Sequence, residues 1–514
     1  MRHALRLVTA LAGATLIASP AMADTLKEAL RQAYYDNPTL EAARAQQRAT
    51  DESVPIQRAA GLPSLNTTGA YTEFVQQGGN TFTAPGRQVT SNLSLGVPIY
   101  QGGAVKNGIR AAENRVEAGR ADLRGTESSI FTQVVSAYMT VILQEALVAL
   151  SENNVEVLRI NLEATSDRFQ IGNLTRTDVA QSESRLALAR GDLRTARANL
   201  ISAREDYIAL VGEAPTNLEP PPPLPNLPDS PDQAVEIALE NNPDLIAARE
   251  RAQAAGFDIE VAGAGRLPTL EVVGGPGYTN YLGSLGSVPG AGTVADQDSL
   301  AIQAGVRFTV PFFQGGRVAA QQRQATAQAE AALEQVIATE RSIIAQVRAA
   351  YSSWRAANAI ISSSQAAVDA AALSLEGVRA ENTVGNRTVL DILDAQQELL
   401  RAQVQLVTAR RNAYVAGFSL LAAMGKAEAR DLGLADEGVL YDPIENYDRV
   451  RDIIWDWQRD PDPVVSSTRT VDIPAPDGEV EDGEPLEEFD TEIIDYSDTA
   501  PPPLDSQPRG DQGD

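Results

Sequence analysis

The distribution of apolar and polar residues divides the chain into segments of two different periods. In two segments, apolar residues occupy every second position, which is typical of a β-strand with one apolar face. These positions are Leu93, Leu95, Val97 and Ile99 in the first segment and Leu300, Ile302, Val306 and Phe308 in the second. Each segment follows another strand candidate across a glycine-rich loop. The pattern therefore predicts two β-hairpins, at about residues 63–100 and 268–313.

The segments after the hairpins have the composition of very long helices. Residues 103–172 contain no proline, and a helix of this length extends about 100 Å. Apolar residues recur there at alternating intervals of four and three, at Ile130, Val134, Ala137 and Val141. This spacing is typical of helices that pack as in a coiled coil. Gly-Asn pairs at 172–173 and 385–386 predict helix reversals, so long helices are expected over 103–212 and 316–425.

The chain contains two copies of one unit. Residues 98–212 align with residues 311–425 without a gap, and VPIYQGG at 97–103 corresponds to VPFFQGG at 310–316. A repeat of this kind predicts a duplicated helix-hairpin-helix architecture. The first repeat is expected over 24–214 and the second over 232–441. Between them, residues 215–231 are rich in proline and predict an extended linker.

Each copy is predicted to pass from strand to helix at the VPxxQGG segment. Both prolines are expected where a strand ends, and the paired glycines supply backbone freedom for a turn into the helix. The transition residues are Pro98, Gly102 and Gly103 in the first copy and Pro311, Gly315 and Gly316 in the second.

The two ends of the chain differ from the repeats. Residues 1–23 combine Arg2 and Arg6, a short apolar run and a small-residue cleavage site, and they predict a secretory signal peptide. A membrane anchor is the alternative, but the apolar run is too short to span a bilayer. At the other end, residues 442–514 are predicted to be a disordered acidic tail.

Composition narrows the classes of function. The 514-residue chain has a net charge of −27, which makes nucleic acid a poor partner. It contains no cysteine, and its one histidine, His3, lies in the predicted signal peptide. We therefore expect no thiol chemistry, no cofactor, no metal site and no catalytic residues.

The predicted strands require assembly. Four strands cannot close a barrel, and an open sheet edge in lipid would leave backbone groups without hydrogen bonds. The same holds for the long helices, which are too polar to form a core alone. An exported oligomer that closes both a β-barrel and a tube of helices would be a conduit from the periplasm to the exterior.

The duplicated VPxxQGG segment and the sequence VGNRTVLDILDA at 384–395 resemble the TolC family of outer-membrane efflux and secretion channels. The resemblance covers nearly the whole chain after the signal peptide, to about Gly433. It implies a fold that is mainly α with a membrane β-barrel part: a homotrimer with a 12-stranded barrel, continued by a 12-helix periplasmic α-barrel. It further implies outer-membrane lipid, a periplasmic adaptor (membrane fusion) protein and an inner-membrane transporter as partners, in a tripartite efflux pump or a type I secretion system.

The resemblance also assigns roles to residues near the helix reversals. Asp391 and Asp394 would line the periplasmic aperture, and their spacing places them on one side of a helix. Arg387 would lock the closed gate through Thr177 and Asp178. At Asn382 the family often has a tyrosine, so one locking bond is expected to be missing. The alternatives are solvated helix acids for the aspartates and a surface helix cap for Arg387.

Two other functions compete with an exit channel. A periplasmic structural coiled coil without a pore would not need the alternating strands. An exported hydrolase would need a recognisable site, and none is found in the sequence. The sequence leaves the substrate open among drugs, metal ions and whole proteins.

Overall fold

Each half of the chain folds into short helices, a β-hairpin and two long helices. The computed structural model describes residues 24–76, 84–286, 295–437 and 440–474. The predicted signal peptide, both hairpin tips and residues 475–514 lie outside the described residues. The first half contains α1 (Leu26–Asp36), α2 (Pro38–Asp51), α3 (Ser53–Ala59), β1 (Ser64–Glu73), β2 (Arg87–Gln101), α4 (Ala104–Gln170) and α5 (Arg176–Val211). The second half contains α6 (Pro231–Asn241), α7 (Pro243–Ala264), β3 (Thr269–Asn280), β4 (Asp298–Thr309), α8 (Arg317–Thr383) and α9 (Val389–Ala423), and α10 (Pro443–Val450) follows.

The two hairpins form one antiparallel sheet in the order β1-β2-β3-β4. Its register places Val97 opposite Val272, and Val272 opposite Val306, so the predicted apolar faces of both repeats form one continuous surface. On β4 this surface is open, since Ile302 is 78% exposed and Phe308 64%. β1 and β4 are the edges of the sheet, and neither has a further strand partner within the described part of the chain.

The prediction that Pro98 ends its strand is wrong. β2 continues to Gln101, and the pairing with β3 shifts between Pro98 and Tyr100. This bulge admits a residue without a backbone N–H, which a regular ladder in the middle of a sheet would not. Pro311, by contrast, follows the end of β4 at Thr309.

The paired glycines begin both long helices. Gly103 (φ 85°) is the N-cap of α4, and Gly316 (φ 80°) is the N-cap of α8. Gly102 and Gly315 precede them at φ 62° and 59°. A left-handed backbone strains residues that have a Cβ atom, so glycine permits the chain to leave the sheet and enter the helix within two residues.

α4 and α8 are each 67 residues long and therefore about 100 Å in length. α5 packs along the distal half of α4, and α9 packs along α8 in the same way. The main core lies where the short helices meet the middle of α4 and the ends of α5 and α9. Its fully buried members include Phe131, Val134, Tyr138, Leu245 and Leu421.

Tyrosine hydroxyls hold the proline-rich linker against this core. Tyr138 donates to the backbone carbonyl of Glu219 at 2.6 Å, and Tyr351 donates to that of Asp229 at 2.8 Å. These two tyrosines are equivalent in the repeat alignment. The duplication thus supplies one tyrosine hydrogen bond near each end of the linker.

One helix is long and apolar enough, by composition alone, to cross a membrane. Among the described helices this is α4, where an 18-residue window has a mean hydropathy of 1.6 and is 39% buried. Several of its most apolar residues, among them Phe131, Val135 and Val141, are completely enclosed by other parts of the chain. We therefore assign α4 as a core helix of the helical body.

The predicted disorder from residue 442 onward is wrong as far as Pro474. α10 follows Asp442, whose side chain caps the helix by accepting a hydrogen bond from the Ile444 N–H at 2.8 Å. Val450 is buried, and the segment after it reaches Asp36, which accepts from the Thr468 N–H at 2.8 Å. The composition of this segment could not reveal its order, because the anchoring residues are few and their partners lie about 400 positions away in sequence.

Candidate functional site

The long helices reverse direction at two turns of the same construction. Gly172 (φ 81°) and Gly385 (φ 84°) follow the ends of α4 and α8, and a threonine then caps the next helix. In the first turn the Asp178 carboxylate accepts from the Thr175 N–H at 2.9 Å and from its hydroxyl at 2.7 Å. These hydrogen bonds lower the pKa of Asp178. The side chain is therefore an ionised N-terminal cap of α5.

Asp391 has the equivalent position in the second turn. Its carboxylate accepts from the Thr388 N–H at 2.8 Å and from the Thr388 hydroxyl at 2.7 Å. The bonds from Thr388 lower the pKa of Asp391, and Arg387, at 3.9 Å, adds to the effect. Asp391 is thus both a helix cap and an exposed negative charge at the turn.

Asp394 lies one helical turn farther along α9 and is paired. Its carboxylate binds the guanidinium of Arg185 on α5 at 2.7 Å. The side chain of Asp394 is nevertheless 59% exposed, so the pair is solvated and weak. Asp391 and Asp394 therefore both remain accessible, but neither is without a partner in the chain.

Arg387 contacts its own turn rather than the turn at the end of α4. Its Nε donates to the Glu381 carboxylate at 2.7 Å. Within the described part of a single chain, no hydrogen bond joins Arg387 to Thr177 or Asp178, so the predicted lock does not form there. Both hydrogen bonds from Thr175 go to the same carboxylate oxygen of Asp178, Oδ2, so the side chain keeps a second acceptor oxygen.

Asn382 connects the two turns. Its side-chain N–H donates to the Arg387 carbonyl at 2.8 Å, and its Oδ1 accepts from Arg168 at the end of α4 at 3.3 Å. An apolar cluster beneath these polar contacts joins the two helical hairpins. It consists of Leu158, Leu186, Ala189, Val389 and Leu393. α9 thus buries Val389 and Leu393 while Asp391 and Asp394 stay at the surface.

The second candidate region is the polar face of the sheet. Glu271 on β3 lies opposite Arg307 on β4, and their side chains form an ion pair at 3.1 Å. Asn66, Asn92 and Gln303 line the same cleft. This face is the reverse of the apolar surface that contains Val306, so the sheet separates a polar side from an apolar one.

Sequence reasoning missed three of these features. The capping boxes were detectable, since Thr-x-x-Asp occurs at both helix starts, at 175–178 and 388–391. The Glu271–Arg307 pair needs the register between strands, and the Arg185–Asp394 pair needs the packing of α5 on α9. Within the described ranges, no group of three or more acidic, histidine or cysteine side chains is arranged to hold a metal ion.

A sequence profile of outer membrane efflux proteins matches residues 29–213 and 234–426, which include both repeats. The chain belongs to the outer membrane efflux protein family. It is 34% identical over 452 residues to the outer membrane efflux protein BepC of Brucella suis biovar 1, an alignment covering 88% of this chain and 96% of BepC. It is 27% identical over 439 residues to the outer membrane protein TolC of Escherichia coli K12, covering 83% of this chain and 87% of TolC.

Solved structures give the same fold. The outer membrane protein VceC of Vibrio cholerae superposes with a TM-score of 0.66 at 24% identity, covering 78% of this chain and 96% of VceC. The resemblance to TolC channels is therefore confirmed, as is a mainly helical fold with a β part. This outer membrane efflux protein is a channel component of the outer membrane.

Proposed function

We propose that three copies of this chain form the exit duct of a tripartite efflux pump or a type I secretion system. The observation that carries the proposal is the sheet, in which both edge strands lack a further partner among the described residues and one face is apolar, with Ile302 78% exposed. Three such sheets joined edge to edge give twelve strands, enough to close a barrel with a polar interior. The polar cleft with Glu271 and Arg307 then faces the channel.

The helical body extends the duct into the periplasm. A helix of 67 residues reaches far beyond the membrane, and three pairs of helical hairpins would continue the barrel as a tube of twelve helices. A periplasmic adaptor and an inner-membrane transporter supply the energy and select the substrate, and the chain itself catalyses no reaction.

Cross-linking tests the assembly. The chain has no cysteine, so introduced cysteines report without background. One cysteine is placed on β1, at Thr68, and one at successive positions of β4. Oxidised outer membranes should yield covalent dimers and trimers of the chain for the one or two positions of β4 that lie opposite Thr68. As a matched control, the cysteine on β4 is replaced by one within α2, which should give no cross-linked dimers or trimers. Monomer at every position would exclude edge-to-edge closure.

We propose that Asp391 and Asp394 form a six-carboxylate ring at the periplasmic end of this duct. Like charges around one axis attract cations and disfavour anions. Because Asp391 also caps α9, the test requires asparagine, which retains an acceptor oxygen. The variant D391N/D394N should lose cation selectivity in planar bilayers. The control D178N changes the equivalent cap in the other turn and should leave selectivity unaltered; equal losses would assign the selectivity to helix capping.

We also propose that Arg387 holds the closed tip across the boundary between two copies, with Thr177 of a neighbouring copy as acceptor. Arg387 and Thr177 are not joined within one chain, and Arg387 has solvated partners that it can exchange. The variant R387S/T177A should conduct more than wild type. Control E381Q removes only the partner of Arg387 within its own chain. If R387S/T177A conducts no more than E381Q, the proposed lock is wrong.

A further inference from the structure

The segment after α10 presents an exposed aromatic surface. Trp455 and Trp457 are two of the three tryptophans in the chain, and they are 72% and 89% exposed. The third, Trp354, packs in the helical body with its ring 5.7 Å from that of Tyr351. Ile454, next to Trp455, is 59% exposed. Exposed large apolar side chains that lie so close together in a chain typically mark a surface that binds a partner or a membrane.

Contacts along α10 show the direction of this segment. Asn446 donates to Asp51 at the end of α2 at 2.7 Å, and Tyr447 packs against the apolar cluster of Val54, Ala112 and Val116. Arg58, near the end of α3, then donates to the Arg451 carbonyl at 3.0 Å and pairs with Asp452. The chain therefore runs alongside α2 and α3 toward the sheet, because β1 begins at Ser64, six residues after Arg58.

The chain then turns back. Asp460 binds Arg449 in a bidentate pair at 2.8 and 3.0 Å, and Thr468 reaches Asp36 at the far end of α1. Residues 453–459 are thus the part of the C-terminal segment nearest the sheet. We call these residues the tryptophan turn. Its two ends are joined by ion pairs to Arg58 in α3 and to Arg449 in α10, which place the turn beside the end of α3 that precedes the first strand.

The end of the sheet nearest the tryptophan turn has its own aromatic residues. Gly61, between α3 and β1, lines the same cleft as Tyr100 at the end of β2. Tyr100 is 48% exposed, and Phe312 and Phe313, just after β4, are 95% and 89% exposed. Aromatic side chains gather at both edges of the apolar band of a membrane barrel. Because α4 and α8 begin at this end of the sheet and extend into the periplasm in the proposed duct, this end corresponds to the periplasmic boundary of the membrane.

We propose that the tryptophan turn lies in the headgroup region of the inner leaflet of the outer membrane. Indole rings favour that layer because they combine a large apolar surface with one N–H donor. The charges agree with this placement, since Arg58 and Arg449 neutralise Asp452 and Asp460. The turn continues the lipid contact of the strands onto the periplasmic body. The inference rests on the proposed duct, with its strands in lipid and its helices in the periplasm, and is independent of the proposed ring and lock.

Fluorescence quenching tests the proposal on the full-length protein in liposomes. The substitution W354F leaves the tryptophan turn as the only source of tryptophan emission. Phospholipid brominated near the headgroup end of its acyl chains should then quench the emission strongly, and acrylamide in the aqueous phase should quench it weakly. The matched control moves the reporter by placing W455F/W457F in the same background and adding V465W, on the exposed part of the segment that runs away from the sheet. Its emission should respond to acrylamide and not to bromolipid.

Two results would overturn the proposal. Quenching of the tryptophan turn by acrylamide alone would place it in water, and protection from both quenchers would place it against another copy of the chain. If W354F does not assemble, the difference in emission between wild type and W455F/W457F gives the same information without altering the core.

Discussion

Glu127 is a partly buried carboxylate in the main core region, and it makes the attachment of the C-terminal segment sensitive to pH. It lies on α4 and accepts a hydrogen bond from the Ala429 N–H. The pKa of Glu127 is raised to about 7, mainly by burial and also by the nearby Glu428 carboxylate, although the hydrogen bond from the Ala429 N–H and the charges of Arg44 and Arg430 lower it. Glu428 is itself paired with Arg124 at 2.7 Å.

The sign of the effect follows from the direction of the shift. A carboxyl whose pKa is higher in the folded state binds its proton more tightly there, so folding is favoured at low pH. The stabilisation is lost as pH rises from the ordinary value of 4.5 to about 7 and is constant above that. This difference between the two pKa values corresponds to a loss of about 3 kcal/mol of folding free energy, at about 1.4 kcal/mol per pKa unit. The segment around Ala429 should thus open more readily at pH 8 than at pH 5.

Amide hydrogen exchange measures this opening. Exchange of residues 426–434 is compared between wild type and Glu127→Gln at each pH, so that the intrinsic pH dependence of exchange cancels. Glutamine retains an acceptor for the Ala429 N–H and cannot ionise. Protection should therefore fall with pH in wild type and remain level in the variant. A matched control, Glu145→Gln, alters a more exposed acid on α4 that pairs with Arg204 at 3.0 Å. Parallel curves for wild type and Glu127→Gln would refute the reasoning.

Two further predictions concern the sheet and its exit. Ile302 lies near the middle of β4, so Ile302→Arg should destabilise the membrane-inserted trimer by about 2 to 4 kcal/mol and Val306→Arg by less. Recovery of trimers from outer membranes measures the loss, and Gln303→Arg, on the polar face, should be tolerated. Equal recovery of all three variants would contradict the assignment of the faces. Gly102→Ala should impair assembly more than Gly315→Ala, because a Cβ at Gly102 would lie 2.8 Å from the Ala264 carbonyl whereas Gly315 has open space around it. The midpoints of thermal dissociation of the two variant trimers measure the difference. Equal midpoints would contradict the steric argument, because backbone strain would then be the only cost at both glycines.

The periods of the sequence predicted the strands and long helices because burial of one face imposes a repeat on the side chains. The alternation at Leu93 and Leu95 and the spacing at Ile130 and Val134 follow directly from that constraint. Contacts between distant segments leave no such repeat. The sequence could not reveal that Asn446 binds Asp51, and so the segment of α10 was predicted to be disordered. Pro98 was misplaced for a related reason, since a bulge is a property of two strands together.

The roles assigned to the turn residues were partly obscured by local chemistry. Asp178 and Asp391 were predicted as a gate partner and an aperture residue, but both cap a helix through the same threonine-to-aspartate box. A cap is required wherever a helix begins at a tight turn, whether or not the turn has a function. The box alone therefore cannot distinguish a functional turn from a structural one.

The differences between the two turns make that distinction. In the repeat alignment Arg387 corresponds to Leu174, which packs against the apolar cluster beneath the turns. Asp394 likewise corresponds to Gln181, so the ion pair with Arg185 has no counterpart. Folding of the first turn shows that neither Arg387 nor Asp394 is needed to reverse the helices. Arg387 and Asp394 thus exceed what the turn requires, and the proposed lock and the second carboxylate of the proposed ring depend on them.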